Sequence, residues 1–541
     1  MHKKYCVLAG LLLIVFSGNA QRSKNSFLYD LVKEKRLVSK QTEVIRLFGR
    51  SAVAPSSKVN SVLSEKLLLS LDKQLGAILY KNKPASISLI VPSLTGNDYR
   101  LELIQQDINN SNDFSLGALS GTGTVNKISN EQGLHYRGYI DGDPSSIASF
   151  SIFDNGNVMC LFCNEEGNFN LGKVSGTEEY ILYKNDAMQA HLGFECGTTE
   201  LPVPAAGNIP VQQQVPVPGA APSVLCKKVR IYWEADYKLY SNNFASDITN
   251  TANYLTGVFN QVAVMYMNEG ILIELTDTYI WTTADPYNTS TSSNGLATFK
   301  SRWNGLGNNF KADLAVLIDG SPTNNGGIAY LLTNDLCNRT YAYGYANTYA
   351  SYSTVPVYSW DVEVLTHEMG HMVGSNHTHW CGWNTGAGGT CGAIDDCYTT
   401  EAGGVGNCTT CAATTSTNPT APPGFKGTVM SYCHLRSGIG INLANGFGPL
   451  PQAVIRNTVN GAACAIVDNK WTGTVSTAWE DPANWNCGSI PNATTDVTIP
   501  GGLTNYPIIT SPATCRRIIQ QPNTSVLVKT GYSLVLTGPP N

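Results

Sequence analysis

The stretch His367-Glu368-Met369-Gly370-His371-Met372-Val373-Gly374-Ser375-Asn376-His377 constrains this chain more than any other, because it sets a helix, its end and the turn that follows. His367 and His371 are four residues apart, so a helix sends both imidazoles from one face toward a shared ion. Gly374 can take the left-handed conformation that ends a helix, which lets the chain double back and deliver His377 as a third nitrogen ligand. Three protein ligands and an open fourth position are what a catalytic zinc site uses. Glu368 falls beside the metal, where its carboxylate can take a proton from the attacking water. A lone H-E-x-x-H also arises on solvated helices that bind nothing. Here the glycine and third histidine follow at fitting offsets, and four of the chain's eight histidines (His367, His371, His377, His379) fall in one segment. Met430 comes later in a tight-turn context, Gly427-Thr428-Val429-Met430-Ser431-Tyr432.

The 541 residues are too many for a single core. Charged residues make up only 14% of the chain, below the usual quarter, a profile that suits exported β-rich proteins. A net charge of -5 supplies no basic field, which argues against nucleic acid as a partner. Lys3 and Lys4 precede an apolar run from Val7 to Phe16, and Ser17-Gly18-Asn19-Ala20 offers small residues for cleavage. That pattern reads as a secretory signal peptide over residues 1–20, too short for a bilayer span. No later segment is apolar and long enough to cross a membrane. Export permits disulfides among the cysteines that follow Cys6.

Along the chain, residues 21–200 carry no catalytic constellation. A helical start from Phe27 to Arg50 leads into alternating stretches such as Ser86–Val91, His135–Ile140 and Ile147–Ile152, which read as antiparallel sheet. Residues 201–224 form a Pro/Val/Gln/Ala linker, where a propeptide could be cut. In residues 225–466, strands (Val229–Trp233, Ile271–Leu275, Leu314–Ile318, Gly326–Leu331) alternate with helices (Asp247–Asn268, Thr298–Trp303, Val357–Val373). That order argues an α/β sheet domain whose last long helix carries the metal. Residues 467–541, with Trp471, Trp479, Trp485 and alternating runs, read as a small all-β module, either a surface-binding unit or a spacer.

These motifs resemble the metzincin clan of zinc endopeptidases, and most closely a bacterial branch of the reprolysin (adamalysin-like) family, over about residues 120–465. Gly326-Gly327-Ile328-Ala329-Tyr330-Leu331, with Cys337 after it, is similar to the reprolysin edge strand over the cleft. His135-Tyr136-Arg137-Gly138-Tyr139, ending in Cys196-Gly197, is similar to a reprolysin propeptide with its cysteine switch. The resemblance implies an α/β metzincin-like catalytic domain with a mixed, mostly parallel sheet, a zinc-bearing helix and a Met-turn. A β-rich propeptide precedes it and a small all-β module follows. It implies zinc on His367, His371 and His377, with Glu368 as general base and Met430 as the floor beneath the metal. Cys196 would close the fourth zinc position until the propeptide leaves, and Gly327, Ile328 and Ala329 would pair with substrate. Two departures stand out. Thr378 follows the third ligand where adamalysins place Asp and astacins Glu. Tyr432, two residues past Met430, is similar to a tyrosine that astacins and serralysins place near zinc, and either stabilises the intermediate or packs as a pocket wall.

Lesser signals are assigned more modestly. His379 reads as a supporting or surface histidine, and His434 carries no role. Cys160-Leu161-Phe162-Cys163 and Cys408-Thr409-Thr410-Cys411 suit disulfides better than zinc ribbons. Asp395, Asp396 and Glu401 could serve Ca2+ with their oxygens, or simply be solvated loop acids. The expected function is a secreted zinc endopeptidase, made latent, acting as a monomer on protein or peptide substrates. The rival reading is a secreted adhesion protein with a vestigial zinc site.

Overall fold

In the computed structural model two large sheets meet across a shared core. It describes residues 26–38, 42–108, 114–121, 123–128, 133–190, 196–198, 201, 225–323, 325–332, 336–384, 391–399, 425–436 and 438–538. The signal peptide, most of the linker and Glu401, Cys408 and Cys411 lie outside the described residues.

The N-terminal sheet has ten strands, nearly all antiparallel, with Asp143–Ile152, Val158–Asn164 and Gly167–Lys173 near its middle. These strands are buried along almost their whole length, because both faces of the sheet are covered. Alternation therefore divides each strand between two cores. Cys160 and Phe162 point into a core private to this sheet, whereas Met159, Leu161 and Cys163 point into the core shared with the catalytic sheet. Cys160 and Cys163 consequently leave opposite faces and both remain free thiols, which corrects the disulfide expected for that pair. The expected first helix also ends early, at Val38. Beyond it, Glu43–Ile45 and Phe48–Arg50 are short strands.

The catalytic sheet runs in the order Gly327–Ala329, Tyr343–Asn347, Leu314–Asp319, Lys227–Ala235, Leu272–Trp281, Ser115–Leu119, Val125–Lys127. All neighbours are parallel except the first and last pairs. The mixed α/β sheet expected of the region is present, with one addition: its rear edge is built by residues 115–127, from far upstream of the linker. The break expected between residues 200 and 225 is thus not a break in the core. Leu28, Val32, Ile108 and Leu116 from the N-terminal part lie buried in one cluster with Val258, Leu275 and Leu365.

The helix Ile248–Asn268 lies between the sheets. Asp247 caps it by accepting from the Asn250 N–H, and every residue from Thr251 to Asn268 is buried. The second α-helix of the domain, Ser292–Gly305, is longer than its sequence signal because its polar residues hide the period.

The C-terminal module is joined to the catalytic sheet. Ile466–Lys470 pairs with the start of Lys227–Ala235, then in parallel with Thr495–Ile499. Cys226 and Cys487 form a disulfide across this junction. The buried Lys228 ammonium sits 2.8 Å from Glu274 and 2.9 Å from Asp496. Farther on, parallel pairings (Thr495–Ile499 with Arg517–Gln520, Ile508–Ile509 with Leu527–Val528, Ala513–Cys515 with Leu534–Leu536) stack two successive coils beside the three tryptophans.

Candidate active site

The helix Tyr358–Met372 is buried on every side, between the long helix, the front of the catalytic sheet and a strand of the N-terminal sheet. Its first turn is held by Asp361, whose carboxylate accepts from the Tyr349 and Ala350 N–H groups and the Tyr254 hydroxyl. Burial raises this carboxyl to about 7 against the opposing pull of those hydrogen bonds. The helix stops at Gly374, where φ is +100° and the N–H donates to the His371 carbonyl. A Cβ there would lie 2.7 Å from the Thr458 hydroxyl, so both the backbone and the packing require glycine.

Past that turn His377 meets His367 and His371. The three Nε2 atoms are 3.0–3.1 Å apart. His367 Nδ1 lies 2.7 Å from the Val429 carbonyl and His371 Nδ1 2.6 Å from the Ser375 carbonyl. A carbonyl only accepts, so each Nδ1 carries the proton. Burial holds His367 well below the usual histidine range, which keeps it neutral. Neutral rings with Nδ1–H have bare Nε2 lone pairs, and lone pairs converging on one point repel unless a cation sits among them. Ligands about 2.0–2.1 Å from a tetrahedral zinc lie roughly 3.3 Å from one another, close to the spacing here. The donor set fits zinc.

Cys196 closes the fourth side: its Sγ and the three imidazole nitrogens all lie within 4.8 Å of one another. Burial, and the Glu368 carboxylate next to it, push this thiol well above the ordinary range, so a thiolate is stable here only against a cation. Glu368 Oε2 is 3.3 Å from Cys196 Sγ. Its other oxygen, Oε1, is buried against Gly327 with no hydrogen-bond partner among the described residues. Burial raises the Glu368 carboxyl well above its usual range.

Residues 196–198 lie along the edge strand Gly327–Ala329. The Gly197 N–H reaches the Gly327 carbonyl at 3.4 Å. The Thr198 hydroxyl donates to the Ala329 carbonyl at 2.9 Å and accepts from the Ala329 N–H at 3.2 Å. The sequence reading missed Thr198, and only its place two residues after Cys196 could have pointed to it. Gly327 is demanded by closeness: a Cβ would fall 2.1 Å from Glu368 Oε1. Gly327→Ala is therefore expected to push the carboxylate aside, lowering kcat/KM at least about tenfold, roughly 1.4 kcal/mol, with zinc content retained. Kinetics alongside metal analysis would check it.

Met430 is fully buried beneath the helix, its Sδ 2.6 Å from where a Cβ on Gly370 would be. Thr378 explains its own departure from the family pattern: its N–H and hydroxyl both donate to the Met430 carbonyl, at 3.0 and 3.3 Å, pinning the turn. The Tyr432 hydroxyl donates to the Cys196 carbonyl at 2.8 Å and accepts from the Cys196 N–H at 2.6 Å. Its ring lies against His377, His379 and Tyr398, with centroids 4.7–4.8 Å away. His379 is buried and stacks on His377, not at the surface. His434 lies 3.3 Å from Glu363, away from the imidazole cluster's ligand atoms.

The acidic loop gives calcium no support. Asp395 is buried and accepts from the Cys397 N–H, and the two sulfurs near it, Cys397 and Cys433, are joined as a disulfide. Asp396 is half-buried, and Glu401 lies outside the described residues.

Residues 226–432 match a reprolysin-type family model described as metallo-peptidase family M12. Residues 470–539 match a second model, described as a domain of unknown function. No curated protein matches the chain. Among solved structures, metalloproteinase-II from Bacteroides fragilis is similar at 11% identity, over 62% of this chain and 89% of that one, with a TM-score of 0.33. The matched segment holds both the histidine cluster and the Met430 turn, so residues 226–432 form a reprolysin-like metzincin domain of family M12 and make the chain a zinc metalloendopeptidase.

Proposed function

We propose that the chain is a secreted endopeptidase made as a latent zymogen, with zinc on His367, His371 and His377, Glu368 as its base and Cys196 as its lock. The convergence of three imidazole Nε2 atoms, with the Glu368 carboxylate beside the sulfur that closes the fourth side, carries this reading. Bound zinc supplies Lewis acidity, polarising a scissile carbonyl and making water acidic enough to attack near neutral pH. The chain's residues do the rest. Glu368, through the Oε2 that now lies beside Cys196 Sγ, takes the proton of the attacking water and later hands it to the departing amine. Gly327–Ala329 offers the backbone groups now used by residues 197 and 198, so an extended substrate adds as a strand in their place. A cleft filled by backbone pairing suits an endopeptidase.

With the Cys196 segment gone, the Tyr432 hydroxyl faces the cleft and can donate to the oxyanion of the tetrahedral intermediate. Tyr432→Phe should lower kcat by about 10²-fold with KM changed less than about threefold. Unchanged kcat and KM would leave Tyr432 as a pocket wall. Export is supported by the leader pattern and by disulfides such as Cys337–Cys464, and no described helix is long and apolar enough to cross a membrane. The function is tested by hydrolysis of casein or gelatin with the propeptide removed, which should stop on chelation and return with zinc. Chelator-resistant hydrolysis would refute it.

A further inference from the structure

The catalytic sheet has two edges, and the N-terminal part of the chain occupies both. At the front edge residues 196–198 lie along Gly327–Ala329. At the rear edge Ser115–Leu119 pairs in parallel with Asp277–Trp281, and Val125–Lys127 adds outside it. Both the N–H and the hydroxyl of Thr282 donate to the Leu119 carbonyl at 3.0 Å, and the Leu275 N–H donates to the Ile108 carbonyl at 3.1 Å.

The two holds differ in kind. The front one is three residues of polar contact. The rear one is apolar and flush: Ile108, Leu116 and Leu119 are 2–3% exposed. A Cβ on Gly117 would lie 2.4 Å from Val125 and 3.1 Å from Tyr279. Between the edges the N-terminal sheet covers the long helix along a stripe of Asn250, Asn253, Gly257 and Asn260. Asn260 alone reaches the Tyr136 and Phe150 carbonyls, the Ser151 hydroxyl and the Arg137 guanidinium. The stripe is polar, but Met159 and Phe153 of the N-terminal sheet pack at Gly257 within the shared core, so this cover adds an apolar hold to that of the rear edge.

We propose that the rear edge of the catalytic sheet is the propeptide's main docking surface, so that cutting the linker between residues 201 and 225 leaves the propeptide seated and the enzyme latent. The inference rests on the zymogen reading above. Hydrolysis of one linker peptide bond removes the covalent tie but not the tether. Cys196 stays attached to a body anchored at the rear edge, and a short tether of this kind holds its end at an effective concentration on the order of millimolar. Activation therefore requires displacing residues 115–119, by a second cut upstream or by unfolding of the propeptide.

The test places a recognition sequence for a site-specific protease within residues 202–224 of the full-length chain. After cutting, the two fragments should co-elute and casein hydrolysis should stay within about twofold of the uncut chain. Immediate activity on cutting, with the fragments together or apart, would overturn the proposal. The same cut in Leu116→Asp or Gly117→Val should release the propeptide and raise activity at least tenfold. Continued co-elution of folded variants would also overturn it. Should either variant misfold, mild urea on the cut wild-type complex must release propeptide and activity together, and activity without release counts against the docking surface. An uncut chain that is already active, or release without activity, would instead sink the zymogen reading.

Discussion

Replacing Glu368 with glutamine is expected to lower kcat by about 10²–10⁴-fold while zinc content and KM hold nearly constant, because the loss is of a proton acceptor and not of a ligand. Three features separate the two roles. Glu368 is absent from the set of converging ligand atoms. Its Oε1 has no partner among the described residues, so an amide there breaks no existing hydrogen bond. Its side chain is packed against Gly327, which holds the replacement in the same place. Kinetics and metal analysis on enzyme freed of its propeptide would check both halves. A variant that loses its zinc would make Glu368 structural, and one that keeps its rate would remove it from the mechanism.

Cys196→Ser should give an uncut chain with activity raised at least about tenfold over wild type. The lock has two parts: the sulfur facing the imidazoles, and the backbone of Cys196 gripped twice by Tyr432. Serine keeps the backbone grip and the link to Thr198 but is a far poorer zinc ligand than thiolate. Partial latency is therefore expected in place of full activity. Hydrolysis by the uncut variant, compared with uncut wild type, is the readout. A variant as silent as wild type would place latency in the propeptide's coverage of the cleft and not in the thiol.

These roles were legible to unequal degrees. His367, His371 and His377 could be read directly because helix geometry and one glycine turn relate them locally, and the structure brings their nitrogens together. Cys196 lies 171 residues from His367, so no local rule joins them, and only resemblance pointed to it. Thr198 and the aromatic packing around Tyr432 were invisible for the same reason. In the fold, alternation correctly marked Ser86–Val91 and Ile147–Ile152 as sheet. It could not say that Ser115–Leu119 would cross the linker boundary and join the catalytic sheet, since pairing partners 162 residues apart leave no periodic trace. The Cys160–Cys163 spacing suggested a disulfide, but on a strand residues three apart leave opposite faces. The join between the C-terminal module and the catalytic sheet was not legible, because nothing in sequence couples Cys226 to Cys487.

The central claim is that one zinc ion is held by His367, His371 and His377, and the most direct test is zinc X-ray absorption on the uncut chain and on the enzyme freed of its propeptide. The account predicts three nitrogens and one sulfur in the uncut chain, with the sulfur replaced by a light atom once residues up to 201 are gone. A bound zinc with two or more sulfurs, or stoichiometric zinc that survives His367→Ala with its coordination unchanged, would contradict it.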